Sequence, residues 1–361
     1  MIRILQLRER ECDFETERGS HTLLRGAGDE FQIARRTIGR GGDYRDIAHG
    51  AARLRGEEAK NDLVHAFGGR ALAVAALGSR RPIVFSPSPE TKLGTVRWLR
   101  AVMNHRRAEV ICSTTTLRRA LVQRGVPFQR CHLIRPGVDF ARIRRRRDDE
   151  LRRQLGFEPG DYVLLAAGES TRNACHTDTA WAASILWASD PKYKLLAWGR
   201  GEQGKFIGRF GTKLILAPPS VAEQRLGRRL EFEELLPAAD AVLVTARGAV
   251  ATLPIAICMA AALPIISTVT PTVAELLEDR HTALMCPAVP RQVARRVLDL
   301  IEDPSMQWSI SDRARAEAYD YFTQLRFLNQ FRSLYRQVAQ GEKVELPEPA
   351  PGPAARFGAG A

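Results

Sequence analysis

Residues 231–289 constrain the fold most. An acidic helix start (EFEELL) leads to Asp240 and the apolar run AVLVT, then to the loop ARGAVATLP (246–254). An Ala-rich helix follows, then a second apolar run, LPIIST, and a turn that leads to Glu275. Two short apolar runs joined by one helix read as a β-α-β unit, whose strands lie parallel and whose crossover is right-handed.

The same alternation runs through most of the chain. Ile2–Leu7 is a short apolar strand. DLVHAF (62–67) leads into Gly68-Gly69 and a helix over 70–78. IVFS follows Arg81-Pro82, AEVICS (108–113) precedes a Thr-capped basic helix over 114–124, and His132–Ile134 precedes RPGVD. The stretch ARIRRRRDDELRRQLGFEPGD (141–161) is dense in charge and ends on Pro-Gly, which marks a domain boundary. The pattern then restarts with a strand at Tyr162–Ala167, a helix over 177–189, and strands at Lys194–Trp198 and Lys213–Ala217. Helices are expected over 289–301 and, as one or two pieces, over 308–339. The expected division is 1–150, 151–315, a C-terminal helix at 316–340 that packs back towards the first domain, and a disordered Pro-, Gly- and Ala-rich tail at 341–361.

A chain of 361 residues with 45% hydrophobic content can bury two cores. No apolar run approaches the ~20 residues of a spanning helix. The opening MIRILQLRERECD turns charged too soon for a signal peptide and reads as the first strand of a cytoplasmic protein. Six scattered cysteines without a CxxC indicate neither a disulfide framework nor a metal site. Cys175, beside His176 in a polar loop, lacks the base and orienting group that an active thiol needs.

The formal charge is +13, and its distribution is one-sided. Residues 1–160 hold 32 Lys and Arg against 19 Asp and Glu, whereas 161–361 hold 22 of each. Such a face attracts phosphorylated substrates, an anionic membrane surface or nucleic acid, unless the arginines only solvate helices. Arg144–Arg147 have no interleaved aromatics, which argues against nucleic acid.

Several segments together resemble the two-domain retaining glycosyltransferases of the GT-B fold. Asp240 matches the family's "aD" before a strand. Met259, Ala260, Ala261, Leu263 and Pro264 match "EAMAxGxPV", and Thr268 and Glu275 match "T…pE". VICSTTTLRRALVQRGVPFQRCHLIRPGVDFARI (110–143) follows the family pattern nearly position by position, and DLVHAF resembles "DvvHaH". The likeness spans about 62–338, while the first sixty residues match poorly, with LRERECD where the family has a Gly-Gly loop. It implies an α/β protein of two Rossmann-like domains whose parallel sheets face a central cleft. It also implies an acceptor domain first, a nucleotide-sugar domain second, and no metal or cofactor.

The resemblance further implies where a donor would be held. Departing phosphates need cations and backbone N–H groups at the carboxyl ends of parallel strands. In the loop GESTRNACHTD (168–178), Arg172 and His176 are the candidate cations, unless Arg172 instead pairs with Glu169. Gly199, Arg200 and Gly201 form either a ligand-hugging turn or a plain one. Arg247 is a candidate phosphate contact or a solvent-facing arginine, while Thr252 and Leu253 offer backbone donors. His65 is either the catalytic-site histidine that meets sugar or acceptor, or a structural hydrogen-bonder. RRTIGRGGDYRD (35–46) is an anion nest or a surface loop.

One departure is pronounced. The family's two Glu, eight residues apart, are Ala249 and Ile257 here. Two lost carboxylate–diol contacts of about 1.5–3 kcal/mol each weaken donor binding by roughly 100-fold or more, unless another group substitutes. The resemblance therefore implies a cytoplasmic, metal-independent transferase, placed at most peripherally on the inner face of a membrane. It would move a sugar from a nucleotide-sugar donor to a saccharide or lipid-linked acceptor. The alternative is a non-catalytic GT-B-like binding or scaffolding protein with a degenerate donor site.

Overall fold

A computed structural model describes residues 1–10, 12–26, 28–39, 44–89, 91, 93–198, 200–203, 215–216, 227–228 and 230–347. The chain divides into two units. Among the described residues, one comprises Met1–Gly137 with Gln324–Pro347; the other is Val138–Thr323.

The first unit carries strands β1 (Ile2–Glu9), β2 (Phe31–Ile38), β3 (Leu63–Phe67), β4 (Ile83–Ser86), β5 (Ala108–Cys112) and β6 (Cys131–Leu133). They form one sheet in the order β2-β1-β3-β4-β5-β6, and every pairing is parallel. Helices α3 (Gly69–Gly78), α4 (Leu93–His105) and α5 (Thr115–Gln123) cover one face, with Leu72, Val96, Leu99 and Leu121 in a common core. Helix α1 (Phe14–Gly26) and the C-terminal α12 (Gln324–Gln340) supply Leu23, Phe327, Phe331 and Tyr335 to the other. Helix α2 (Tyr44–Arg55) packs on α3 with Leu54 buried. Thr114 caps α5 by accepting a hydrogen bond from the Leu117 N–H at 3.0 Å, as the Thr-rich start predicts.

After β1 the chain does something the family pattern does not indicate. The Glu9 carboxylate accepts a hydrogen bond from the Arg70 N–H at 2.8 Å, in the first turn of α3. Gly68 (φ +91°) makes room, because a Cβ there would lie 2.5 Å from Glu9 Oε1. A carboxylate thus holds the N-terminus of α3, where the family has a Gly-Gly loop after its first strand.

The second unit starts earlier than residue 151. Val138 donates its N–H to the Phe322 carbonyl at 2.6 Å and bridges to Thr323. Helix α6 (Asp149–Leu155) is tied to this unit through Arg152. The chain returns to the first unit at Gln324 rather than 316, because the expected 316–340 helix is broken between α11 (Pro304–Tyr321) and α12. The sheet, again wholly parallel, has the order β12-β11-β10-β7-β8-β9. Its strands are β7 (Tyr162–Ala166), β8 (Tyr193–Leu196), β9 (Ile215–Leu216), β10 (Ala241–Val244), β11 (Ile265–Thr268) and β12 (Leu284–Cys286). Helices α7 (His176–Ser189) and α10 (Pro290–Glu302) pack on one face through Ala183, Leu186, Val293 and Val297. Two further helices are α8 (Phe232–Leu235) and α9 (Leu253–Ala260), the latter wholly buried.

Helix α9 ends in a Schellman motif. The Leu263 N–H reaches the Cys258 carbonyl at 3.3 Å, and the Ala262 N–H reaches Met259 at 2.9 Å. Ala262 occupies the left-handed position at φ +56°, where "EAMAxGxPV" has glycine. An L-residue there carries ~1–2 kcal/mol of strain, part of which glycine returns as unfolded-chain entropy. Ala262→Gly is therefore expected to stabilise the second unit by about 0.5–1 kcal/mol, read as a raised urea midpoint at unchanged m-value. An unchanged or lowered midpoint would contradict this.

Candidate functional site

Three loops in the second unit leave the carboxyl ends of adjacent strands. They are 167–175 after β7, 197–203 after β8 and 245–252 after β10. The chain reverses direction across the sheet between β7 and β10, the position at which open parallel sheets bind ligands.

Hydrogen bonds join the loops. The Ser170 N–H donates to the Arg200 carbonyl at 2.7 Å, and the Gln203 N–H donates to the Ser170 carbonyl at 2.9 Å. The Arg247 N–H reaches the Asn173 carbonyl at 2.9 Å, and Asn173 Nδ2 donates to the Ala249 carbonyl at 3.0 Å. Two glycines permit the close approach. Gly201 (φ +111°) passes so near that a Cβ would lie 2.7 Å from the Ser170 backbone. A Cβ on Gly168 (φ +72°) would lie 2.7 Å from Pro254 in the first turn of α9. The positive end of the α9 dipole therefore sits beside the loop after β7. Thr252 and Leu253 begin α9, and both are buried.

The expected cations divide into two kinds. Arg200 forms an ion pair with Glu169 at 2.7 Å and lies 5.3 Å from the Trp198 ring centroid. Arg247 forms one with Asp178 at 2.6 Å. Arg172 is exposed, and its guanidinium has no ion pair among the described residues; the partner of Glu169 is Arg200 instead. Its N–H donates to Glu202 Oε1 at 3.0 Å. Gly199 lies outside the described residues, as do residues 40–43 of the expected nest at 35–46.

His176 is not a second cation. It is 2% exposed, Nε2 lies 3.1 Å from the Ala167 carbonyl, and burial pushes its pKa down to about 4. It starts α7 as a neutral ring that fastens the helix to the end of β7. Burial raises the Cys175 thiol, whose Sγ donates to the Arg172 carbonyl at 3.1 Å, so no thiolate is formed there.

Residues 163–303 match the family described as "Glycosyl transferases group 1". The match lies wholly within the second unit. The matched residues contain all three loops. Over 199 residues the chain is 24% identical to N-acetyl-alpha-D-glucosaminyl L-malate synthase of Bacillus anthracis; the match covers 54% of this chain and 50% of that protein. The chain thus spans about half the length of this curated relative. Among solved structures, Anabaena HepE in complex with UDP and glucose is similar with a TM-score of 0.74 at 18% identity, covering 93% of this chain and 100% of that one. Sucrose-phosphate synthase of Thermosynechococcus elongatus is similar at 0.72 and 14% identity, covering 95% and 100%. These likenesses establish the GT-B fold, with a Rossmann-like parallel sheet in each unit.

In the first unit, the geometry corrects the expectation for His65. The ring is wholly buried in the first unit. Nδ1 lies 2.6 Å from Tyr335 Oη, Nε2 lies 2.9 Å from Ser86 Oγ, and Phe67 and Phe331 stack against it. With both nitrogens engaged and its pKa pushed down to about 3 by burial, it holds α12 against the sheet and presents no group to a substrate. Ile257, at one family Glu position, is 2% exposed inside α9. Sequence reasoning missed Gly168 and Asn173, which set the loop spacing. The position of Gly168, next but one after β7, was the available signal.

Proposed function

We propose that this protein transfers a sugar from a nucleotide-sugar donor to a saccharide or lipid-linked acceptor, with the donor diphosphate seated in the second unit. What carries the reading is the joining of the 167–175, 197–203 and 245–252 loops beside the N-terminus of α9, with Arg172 left exposed. Backbone amides and one arginine suit a diphosphate without an acidic partner. The UDP and glucose bound by HepE support a nucleotide-sugar donor, and the N-acetyl-alpha-D-glucosaminyl L-malate synthase activity named for the Bacillus anthracis relative supports attachment of a sugar to an acceptor. The basic first unit supports contact with an anionic membrane surface at which a lipid-linked acceptor would be presented.

A second reading, a binding protein that retains the fold with a weakened donor site, is favoured by one observation. Arg200 and Arg247 are committed to Glu169 and Asp178, and Ala249 and Ile257 carry no carboxylate. Turnover separates the two: release of UDP or GDP from a nucleotide sugar with an acceptor supports the transferase, whereas nucleotide binding without release supports the second reading.

Binding is tested by melting the full chain with UDP, GDP and their sugars. Ligand at 100 times Kd adds about 2.7 kcal/mol of stability. Arg172→Ala removes one charge-assisted contact and is expected to weaken binding about tenfold with the unliganded melt unchanged. If no nucleotide shifts the melt, the donor-site reading fails.

A further inference from the structure

We infer that the outer surface of α4, α5 and the turn before β6 is the membrane-docking face of the first unit, and that its partner is a bilayer containing anionic lipid. The inference rests on the reading that this unit meets an anionic membrane, and it locates the contact.

Charge selects the face. Between residues 91 and 138 the chain has ten Lys and Arg and one acidic residue, Glu109. That carboxylate does not reach the surface. It is buried at the sheet and held by Arg107 at 3.2 Å, Arg130 at 2.5 Å and His132 at 2.8 Å. Burial alone would raise its pKa, but the hydrogen bonds from His132 and Arg130 outweigh this and hold it below the usual carboxylate range. The exposed surface of α4 and α5 therefore carries only positive charge. Arg97 and Arg100 on α4, and Arg119 and Arg124 on and just after α5, are all exposed.

The helices lie on the same side of the sheet. Val96, Leu99 and Val102 of α4 share one core with Leu117 and Leu121 of α5. The Arg100 guanidinium reaches across to the turn after α5, within 3.0 Å of where a Gly125 Cβ would stand. The arginines thus form one continuous basic surface rather than separate groups.

Two aromatic side chains stand among them. Trp98 is 47% exposed and Phe128 is 53% exposed. With the inner apolar face of α4 already spent on the core, Trp98 leaves about half of a large apolar side chain in water. Aromatic rings flanked by arginines whose stems lie along the surface are the arrangement that settles at a lipid headgroup layer. Nucleic acid fits less well. The Arg118 guanidinium sits over the Phe128 ring at 4.9 Å, which occupies a face that a base would stack on.

The test is sedimentation of the full chain with vesicles of phosphatidylcholine, alone or mixed with phosphatidylglycerol. The protein is expected to sediment with the mixed vesicles, not with phosphatidylcholine alone, and to be released at roughly 0.5 M salt. The triple variant Arg97→Glu, Arg100→Glu, Arg119→Glu is expected to reduce partitioning by at least about 100-fold. Trp98→Ala is expected to reduce it about tenfold. Unchanged circular dichroism and melting confirm folding, and Arg295→Glu on α10 of the second unit is the control that leaves binding intact. Binding of wild type that the triple variant retains overturns this face while leaving membrane contact standing. No binding to mixed vesicles overturns both, and retention on duplex DNA or RNA instead would assign the face to nucleic acid.

Discussion

Replacing Asp240 with alanine is expected to destabilise the second unit by about 3–5 kcal/mol. The family resemblance places this aspartate before a strand, and the structure shows why an acid belongs there. Arg152 Nη1 lies 2.9 and 3.0 Å from its two carboxylate oxygens, and the Val163 N–H donates to Oδ2 at 2.7 Å. The Arg152 side chain is 3% exposed and also donates to the Asp161 carbonyl. Removing the carboxylate leaves a buried guanidinium without its counter-charge and an N–H of β7 without its acceptor, so two desolvation costs coincide. A unit of this size should lose roughly 10 °C of melting temperature. The paired control is Arg147→Ala. Its Nη1 lies 3.1 Å from the same carboxylate, but its side chain is 44% exposed, so it should cost under about 1 kcal/mol. Equal effects for the two variants would mean that burial does not decide the strength of this network. A loss below about 1 kcal/mol for Asp240→Ala would remove Asp240 as the link between α6 and the sheet.

That network shows what local sequence reveals and what it does not. The apolar runs at Ala241–Val244 and Ile265–Thr268 announce a parallel sheet because a helix separates them, and each strand forms within a residue or two of its expectation. Asp240 is visible as a motif residue, but its partner Arg152 is 88 residues away in a stretch that reads as a solvated linker. The same distance effect misplaces the domain boundary. Residues 141–161 look like a connector by composition, yet the buried Arg152 ties them to the second unit. In the candidate site, the loops are legible because they follow apolar strands and contain glycine. The state of each cation is not, since an ion pair such as Arg247 with Asp178 depends on which loops the fold brings together. His65 fails for a related reason. A histidine at a strand end looks like a site residue until α12, some 270 residues later, brings Tyr335 against it.

Acid should destabilise both units through buried histidines. Burial lowers His65 to about 3 in the first unit and His176 to about 4 in the second, while in the unfolded chain each titrates near the ordinary histidine value of 6.5. A folded pKa below the unfolded one means that the unfolded chain binds the extra proton. The stability is therefore fully present above pH 6.5 and is lost as pH falls towards 3 or 4. Between pH 6.5 and about 5 each histidine should remove on the order of 2 kcal/mol, because one proton per unit of pH corresponds to about 1.4 kcal/mol. The measurement is the urea midpoint of each unit at pH 7, 6 and 5. His65→Gln keeps a polar side chain between Tyr335 and Ser86 but cannot be protonated. It should lower stability at pH 7 and flatten the pH dependence of the first unit alone. His176→Gln should do the same for the second, because its amide reaches the Nε2 position and can still donate to the Ala167 carbonyl. If the pH slope of the first unit survives His65→Gln unchanged, the imidazole does not stay neutral between the sheet and α12, and its role as the internal hydrogen-bonder of the first unit is lost with it.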